Sequence, residues 1–194
     1  THAWGACRPG SIPGSPTKKF MILKGQKVIL RPLRLSDAPR FVKWLNDPNI
    51  QKFLQTRRHL TLRDEKKWIR DALKSKQLKS FSIETKEGIH IGSVGLDNIN
   101  IDHKRAVLGI FIGDKHYWNQ GLGSEAARLI LNYGFNKLKL HRIELGVLKY
   151  NSRAIKVYKR LGFKMEGVRR QHIRFKGKYY DDYHMSILEK EWKG

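Results

Sequence analysis

Acidic residues are scarce in this chain: 17 Asp and Glu stand against 40 Lys and Arg, for a formal charge of +23 over 194 residues. Such a surface attracts anions, so nucleic acid, a ribosome or an anionic small molecule is an expected partner, with a plainly solvated lysine-rich face as the competing reading. Cysteine is nearly absent as well. Cys7 stands alone, which excludes an internal disulfide and suits a reducing, cytoplasmic setting. No apolar run approaches the ~20 residues of a bilayer span, so no membrane role is expected, and the N-terminal segment lacks the apolar stretch of a signal peptide. Internal repeats and low-complexity blocks are missing too. His90, His103, His116, His141 and His184 show no metal-ligand spacing among themselves or with Cys7, so no metal site is expected. What the chain does hold is 40% hydrophobic and 10% aromatic residues, enough for the core of one domain.

Residues 1–20 carry Gly5, Gly10, Gly14, Pro9, Pro13 and Pro16 with little periodic hydrophobicity, and are expected to be a disordered lead-in or upstream remnant. Met21 precedes Ile22-Leu23 as an expected natural start, so one domain is expected over 21–194. Val28 to Leu33 reads as a first strand ending near Pro32. Ser36-Asp37-Ala38-Pro39 is a helix-start signal ahead of Phe41, Val42, Trp44 and Leu45. Asn46-Asp47-Pro48 breaks that helix, and Thr61 to Leu73 reads as a second. Strand candidates Phe81–Glu84, Ile89–Leu96 and Val107–Ile112 form a meander with turns at Lys86-Glu87-Gly88 and Asp102-His103-Lys104. A helix then runs from Leu122 to about Leu138. A strand at Ile143–Leu148, a helix at Ser152–Leu161 stopped by Gly162, and strands at Phe163–Val168 and Tyr183–Leu188 complete the pattern, with Lys176-Gly177-Lys178 as a turn.

Between the strand at 107–112 and the helix lies Tyr117-Trp118-Asn119-Gln120-Gly121-Leu122-Gly123-Ser124-Glu125-Ala126. Two glycines permit a tight turn and close backbone approach, and the helix behind them offers free N–H groups and a positive dipole end to an anion. The match to the dinucleotide-binding G-x-G-x-x-A pattern is weak, because the seven residues 114–120 intervene before the first glycine of the loop. A P-loop is excluded, since no Lys-Ser or Lys-Thr follows the second glycine. The order meander, strand, long approach, glycine loop, helix, strand, short helix suits coenzyme A. Its pyrophosphate would lie on the amides of residues 119–124, and its pantetheine arm beside Phe111 and Ile112 like an added strand.

Residues 107–126, together with Tyr150-Asn151-Ser152-Arg153-Ala154-Ile155-Lys156-Val157-Tyr158-Lys159-Arg160-Leu161-Gly162-Phe163, resemble the GNAT N-acetyltransferases, in the branch of the RimJ/RimL and spermidine acetyltransferases. The likeness spans nearly all of Lys24 to Trp192. It implies an α/β (α+β) fold with a mixed, mostly antiparallel central sheet of about six to seven strands flanked by about four helices. It also implies direct acetyl transfer from acetyl-CoA to a primary amine, without a covalent enzyme intermediate. Gln120, Gly121, Leu122, Gly123 and Ser124 carry over to phosphate binding, with Asn119 beside them and Trp118 where many relatives have Arg or Gln. Phe111, Ile112 and Gly113 carry over to the strand along the acyl-pantetheine arm, and Asn151 to a contact with that arm, with helix N-capping as a compatible role. Tyr158 matches the proposed general acid, against the plain reading of a packed helix aromatic.

The general base is not legible. Many relatives carry a glutamate where this chain has Val107, and a second frequent glutamate position is Gln171. His172 is the candidate by its ordinary pKa, with an ordinary surface histidine as its bland reading; Asp97, Glu144 or a water chain stay open. The expected acceptor is a protein N-terminus, an amino sugar, an aminoglycoside or a polyamine. Polyamines rank lower because fourteen Lys or Arg face only Glu144 and Glu166 between residues 137 and 178. Self-association as a homodimer is left open, and the rival function is a basic nucleic-acid or ribosome-binding module built on an acetyltransferase scaffold.

Overall fold

The computed structural model describes residues 21–54 and 59–194, so the expected lead-in at 1–20 lies outside the described residues. Among the described residues eight strands form one sheet: β1 (Leu23–Lys24), β2 (Val28–Pro32), β3 (Lys79–Thr85), β4 (His90–Asn100), β5 (Arg105–Ile112), β6 (Arg142–Leu148), β7 (Lys164–Phe175) and β8 (Lys178–Leu188). Their spatial order is β1-β2-β3-β4-β5-β6-β8-β7, antiparallel everywhere except the β5–β6 pair. Five helices flank it: α1 (Ala38–Leu45), α2 (Pro48–Gln51), α3 (Leu62–Lys74), α4 (Leu122–Asn132) and α5 (Ser152–Arg160). The sheet thus exceeds the expected six to seven strands, because the two-residue β1 is too short to leave a periodic signal. The extra helix is α2. Pro48 does not merely end α1; it occupies the first turn of the next helix, whose open N–H at Asn49 bonds the Asp47 side chain at 2.8 Å.

Helix starts follow their capping residues. Thr61 and Asp64 form a reciprocal capping box at α3, and the Asn151 side chain accepts from the Ala154 N–H at 3.2 Å to start α5. Two apolar clusters sandwich the sheet. One joins Leu96, Leu108, Ile143 and Leu145 to Ala126 and Ile130 of α4; the other joins Phe111 to Phe41, Trp44 and Ile69 of α1 and α3.

Beneath α1 lies a buried polar knot. Arg31 donates to both Asp37 oxygens at 2.8 and 2.7 Å and to Glu84 at 2.5 Å, while the Ser82 hydroxyl donates to Asp37 at 2.7 Å. His90 is buried beside it, with Nε2 bonded to the Gly92 carbonyl at 3.0 Å and Nδ1 3.5 Å from Asp37. Desolvation lowers the His90 imidazole from 6.5 to about 4. The unfolded chain therefore binds a proton that the folded chain refuses between those values, and stability falls as pH drops through that window, by about 3 kcal/mol at most. The urea midpoint is expected to fall between pH 6.5 and 4 and to fall less in a His90→Phe variant. Equal slopes in the two proteins would remove His90 as the cause.

Candidate active site

β5 and β6 pair only over Arg105–Val107 and Arg142–Glu144. Beyond that point β6 continues along β8 through Leu148–Asp182, while β5 continues along β4 through Ile112–Gly92, so the two parallel strands part like the arms of a V. A groove of about 1100 Å3 opens between them, with Gly109 to Ile112 on one arm and Gly146 and Val147 on the other. Among the described residues the backbone groups on the inner edges of these arms have no ladder partner across the gap, as an added extended chain would require.

At one end of the groove sits the glycine loop. Asp114 caps the turn Lys115–Tyr117, after which Trp118 locks the approach by donating its indole N–H to the Ile112 carbonyl at 2.8 Å. The Arg153 guanidinium lies 4.3 Å from the Trp118 ring centre, a cation–π contact that holds a positive charge at the mouth. Asn119 and Gly121 both adopt left-handed backbone, with φ of 63° and 80°. Gly121 is the N-cap of α4 and supplies no side chain, so the first amides of the helix keep no capping partner. The Glu125 carboxylate, in the first turn, accepts from the Lys27 N–H at 2.8 Å and is thereby directed to the β1–β2 turn.

The groove brings together Phe111, Ile112, Trp118, Asn119, Gly121, Leu122, Gly123, Ser124, Asn151 and Tyr158. Gln120 and Gly113 stand outside its lining. The Gln120 side-chain amide donates to the His116 carbonyl at 2.7 Å, and the Gln120 backbone carbonyl accepts from Lys27 Nζ at 3.4 Å. Gly113 has a packing reason instead: its N–H donates to the Ile91 carbonyl at 2.8 Å, and a Cβ there would meet the Trp44 ring at 2.1 Å.

Tyr158 faces the groove from α5 and packs against Phe163 at 5.7 Å between ring centres. Desolvation pushes its phenol up to about 12, so it holds its proton at neutral pH. His172 is elsewhere. It lies exposed on β7, in an irregular stretch of the β7–β8 pairing, with Nδ1 3.3 Å from the buried Asp182 that Arg169 grips at 2.8 and 2.6 Å. It does not line the groove.

Other lining residues were not singled out from the sequence: Lys27, Phe53, Arg128, Arg153 and Arg169. Arg128 has a readable signal, one helical turn after Ser124, and Arg153 another, two residues after Asn151 in the motif at 150–163. The rest arrive from distant segments. Phe53 is carried in by the chain after α2, where the Tyr150 hydroxyl bonds the Lys52 carbonyl and the Phe53 ring lies 6.5 Å from Trp118. Among the described residues five cations line the groove (Lys27, Arg128, Arg153, Arg160 and Arg169) against the two carboxylates Asp97 and Glu125. Open helix amides, a left-handed glycine, a cationic rim and an apolar inner wall fit a long ligand with phosphates at one end and an uncharged arm at the other.

Known proteins are similar to this chain in sequence and fold. Residues 27–164 match the family described as Acetyltransferase (GNAT) domain. An uncharacterised N-acetyltransferase, p20, of Bacillus licheniformis is 33% identical over 173 residues, covering 87% of this chain and 97% of its own. Spermidine N(1)-acetyltransferase of Escherichia coli is 36% identical over 106 residues, 55% of this chain and 56% of that one. The crystal structure of spermidine N-acetyltransferase from Vibrio cholerae, in complex with CoA and spermine, superposes with a TM-score of 0.82 at 25% identity, covering 88% of this chain and all (100%) of that one. The V-shaped groove, the glycine loop at its end and these likenesses converge: the chain belongs to the GNAT acetyltransferase family, as an N-acetyltransferase that uses acetyl-CoA.

Proposed function

We propose that residues 21–194 act as one acetyltransferase domain whose β5–β6 groove holds acetyl-CoA. In this reading the pyrophosphate rests on the amides of residues 119–124 and the pantetheine arm runs along Phe111 and Ile112. The observation that carries it is the parting of β5 and β6 immediately beside a helix N-terminus that has no capping side chain. When bound, acetyl-CoA supplies the activated acetyl thioester. Asn151 caps α5 and so fixes the helix that presents Tyr158; Tyr158, kept protonated by its apolar surroundings, donates a proton to the departing sulfur. Arg153, held over Trp118, and Arg128, one turn along α4, neutralise phosphate charge.

The acceptor is a primary amine. Polyamine acceptors enter through the spermidine acetyltransferases among the relatives, whereas five cations lining the groove against two carboxylates favour an amine on a neutral or anionic body. Nucleic-acid or ribosome association is carried by the net charge of +23 alone. A thiol-release assay with acetyl-CoA and a panel of an N-terminal peptide, a nucleotide-linked amino sugar, an aminoglycoside and spermidine tests the reading. Release is expected with at least one, and faster with the peptide or amino sugar than with spermidine. No release above the acceptor-free rate with any of the four would count against it.

A further inference from the structure

We infer that Asp97 is the general base that removes the proton from the incoming amine. The inference rests on the reading of the β5–β6 groove as the site of acetyl transfer.

Val107 is the last residue of β5 in register with β6 before the strands part, so the row running across the sheet at this point lies at the apex of the V. Its in-register neighbours are Asp97 on β4 and Glu144 on β6. Residues paired directly across strands share a face of the sheet, so Val107 stands between two carboxylates on one face and itself offers no proton acceptor. Only one of the two is available. Glu144 accepts from Arg142 Nε at 2.9 Å, Arg142 also binds Glu166, and Glu144 does not line the groove. Asp97 and Val107 both do.

Asp97 is set by an irregularity in its strand. The β4–β5 register shifts between Asp97 and Asn100, and Asn98 takes a left-handed φ of 50°. Strained backbone of this kind is retained where surrounding structure over-determines it, and bulges re-aim side chains next to active sites. The Asn98 N–H donates to Asp97 Oδ1 at 2.7 Å, which fixes the carboxylate through one oxygen. Asp97 is 8% exposed, and no cation pairs with it among the described residues. Burial therefore pushes its carboxyl up to about 6, partly offset by the Asn98 hydrogen bond. A buried acid in that range is deprotonated at neutral pH and still basic enough to take a proton.

The other charged groups of the groove are otherwise engaged. Glu125 is bonded to the Lys27 N–H, Lys27 Nζ to the Gln120 carbonyl, and Arg169 to Asp182. Arg128 donates to the Gly194 carbonyl, Arg153 lies over the Trp118 ring and Arg160 donates to the Lys156 carbonyl, and Tyr158 stays protonated. Lys79, from the neighbouring strand β3, donates to the Ser75 carbonyl at 3.1 Å.

The step balances as follows. The amine arrives as an ammonium, and one N–H proton passes to the Asp97 carboxylate. The freed lone pair forms the nitrogen–carbon bond to the thioester carbonyl, the carbon–sulfur bond breaks with its electron pair on sulfur, and Tyr158 gives sulfur its proton. A second proton leaves the nitrogen and is returned through water to Tyr158, and Asp97 releases the first to solvent.

The test compares wild type, Asp97→Asn and Glu144→Gln, with an N-terminal peptide and spermidine as acceptors. The wild-type kcat/KM profile is expected to rise with pH along a limb of apparent pKa about 6. Asp97→Asn is expected to lose that limb and on the order of 10²–10⁴-fold in kcat/KM. Its thermal stabilisation by acetyl-CoA is expected to be retained, and its melting temperature at pH 7 not to fall, because a desolvated carboxylate is removed. Glu144→Gln is expected to keep the limb. Persistence of the limb in Asp97→Asn, or its loss in Glu144→Gln alone, overturns the assignment. Should wild type turn over neither acceptor, carboxyl ¹³C NMR of Asp97 in the acetyl-CoA complex decides: titration near 6 supports the role, and titration at the ordinary value of about 3.9 overturns it. Failure of wild type to be stabilised by acetyl-CoA would sink the groove reading instead, a result separate from either.

Discussion

Replacing Tyr158 by phenylalanine is expected to lower kcat by on the order of 10²–10⁴-fold while leaving acetyl-CoA affinity nearly unchanged, the size of effect that one positioned proton donor contributes. The prediction is sharp because the change removes a single oxygen. The ring of Tyr158 packs against the main apolar cluster and Phe163, contacts that phenylalanine preserves. Among the described residues no group hydrogen-bonds the Tyr158 hydroxyl, so its loss breaks no structural network. A phenol raised to about 12 is protonated throughout the neutral range, so the variant alters proton delivery and not the charge of the groove. Full activity in Tyr158→Phe, measured by single-turnover thiol release, would assign the proton to water and leave Tyr158 as packing.

The second large effect concerns the glycine loop. Gly123→Leu is expected to abolish thermal stabilisation by acetyl-CoA, which at a ligand concentration of about 100 times Kd amounts to ~2.7 kcal/mol, or roughly 5–11 °C for a chain of this size. A Cβ at Gly123 would point toward Ile112 Cγ1 at 3.4 Å and Ile110 Cδ1 at 4.0 Å, both groove residues. The first carbon therefore fits, and the longer side chain extends into the space beside the α4 amides. Helix formation itself favours the substitution, since leucine is a better helix residue than glycine. Gly121→Ala is the useful contrast. The space around it is open, with Lys27 Nζ 3.8 Å away, but its φ of 80° costs a side-chain-bearing residue roughly 1–2 kcal/mol. That variant is expected to melt lower yet still respond to acetyl-CoA. Undiminished stabilisation in Gly123→Leu would displace the cofactor from this loop.

These two experiments address residues that were legible in the sequence. Gly121, Gly123 and the stretch from Asn151 to Tyr158 form contiguous motifs whose conformation is set by local forces: a left-handed glycine, a helix start, a capping asparagine. The alternating and 3.6-residue patterns placed β5, α4, β6 and α5 nearly where they lie. Less could be read at the edges of the sheet. β7 and β8 run to Phe175 and from Lys178, well beyond the apolar cores at 163–168 and 183–188, because their outer halves are exposed and held by cross-strand pairing rather than by burial.

Candidate roles diverged for the same reason. His172 draws attention by the imidazole of the isolated side chain, yet the irregular pairing of β7 with β8 sets it beside Asp182, outside the groove lining. Asp97 offered no motif, and what distinguishes it is its neighbours: Val107 in register, the left-handed Asn98 bonded to it, and no cation paired with it among the described residues. The basic excess was visible as a number, while its meaning depended on Arg128, Arg153, Arg160 and Arg169 meeting around one groove.

By itself, then, the amino-acid order determined the glycine loop, the helix that bears Tyr158 and the succession of elements, because hydrogen bonding and side-chain periodicity within a few residues suffice to specify them. Only the tertiary structure decided where β5 and β6 part and which carboxylate stands free at that point. Strand register and desolvation are properties of residues far apart in the chain, and neither exists until the sheet has closed.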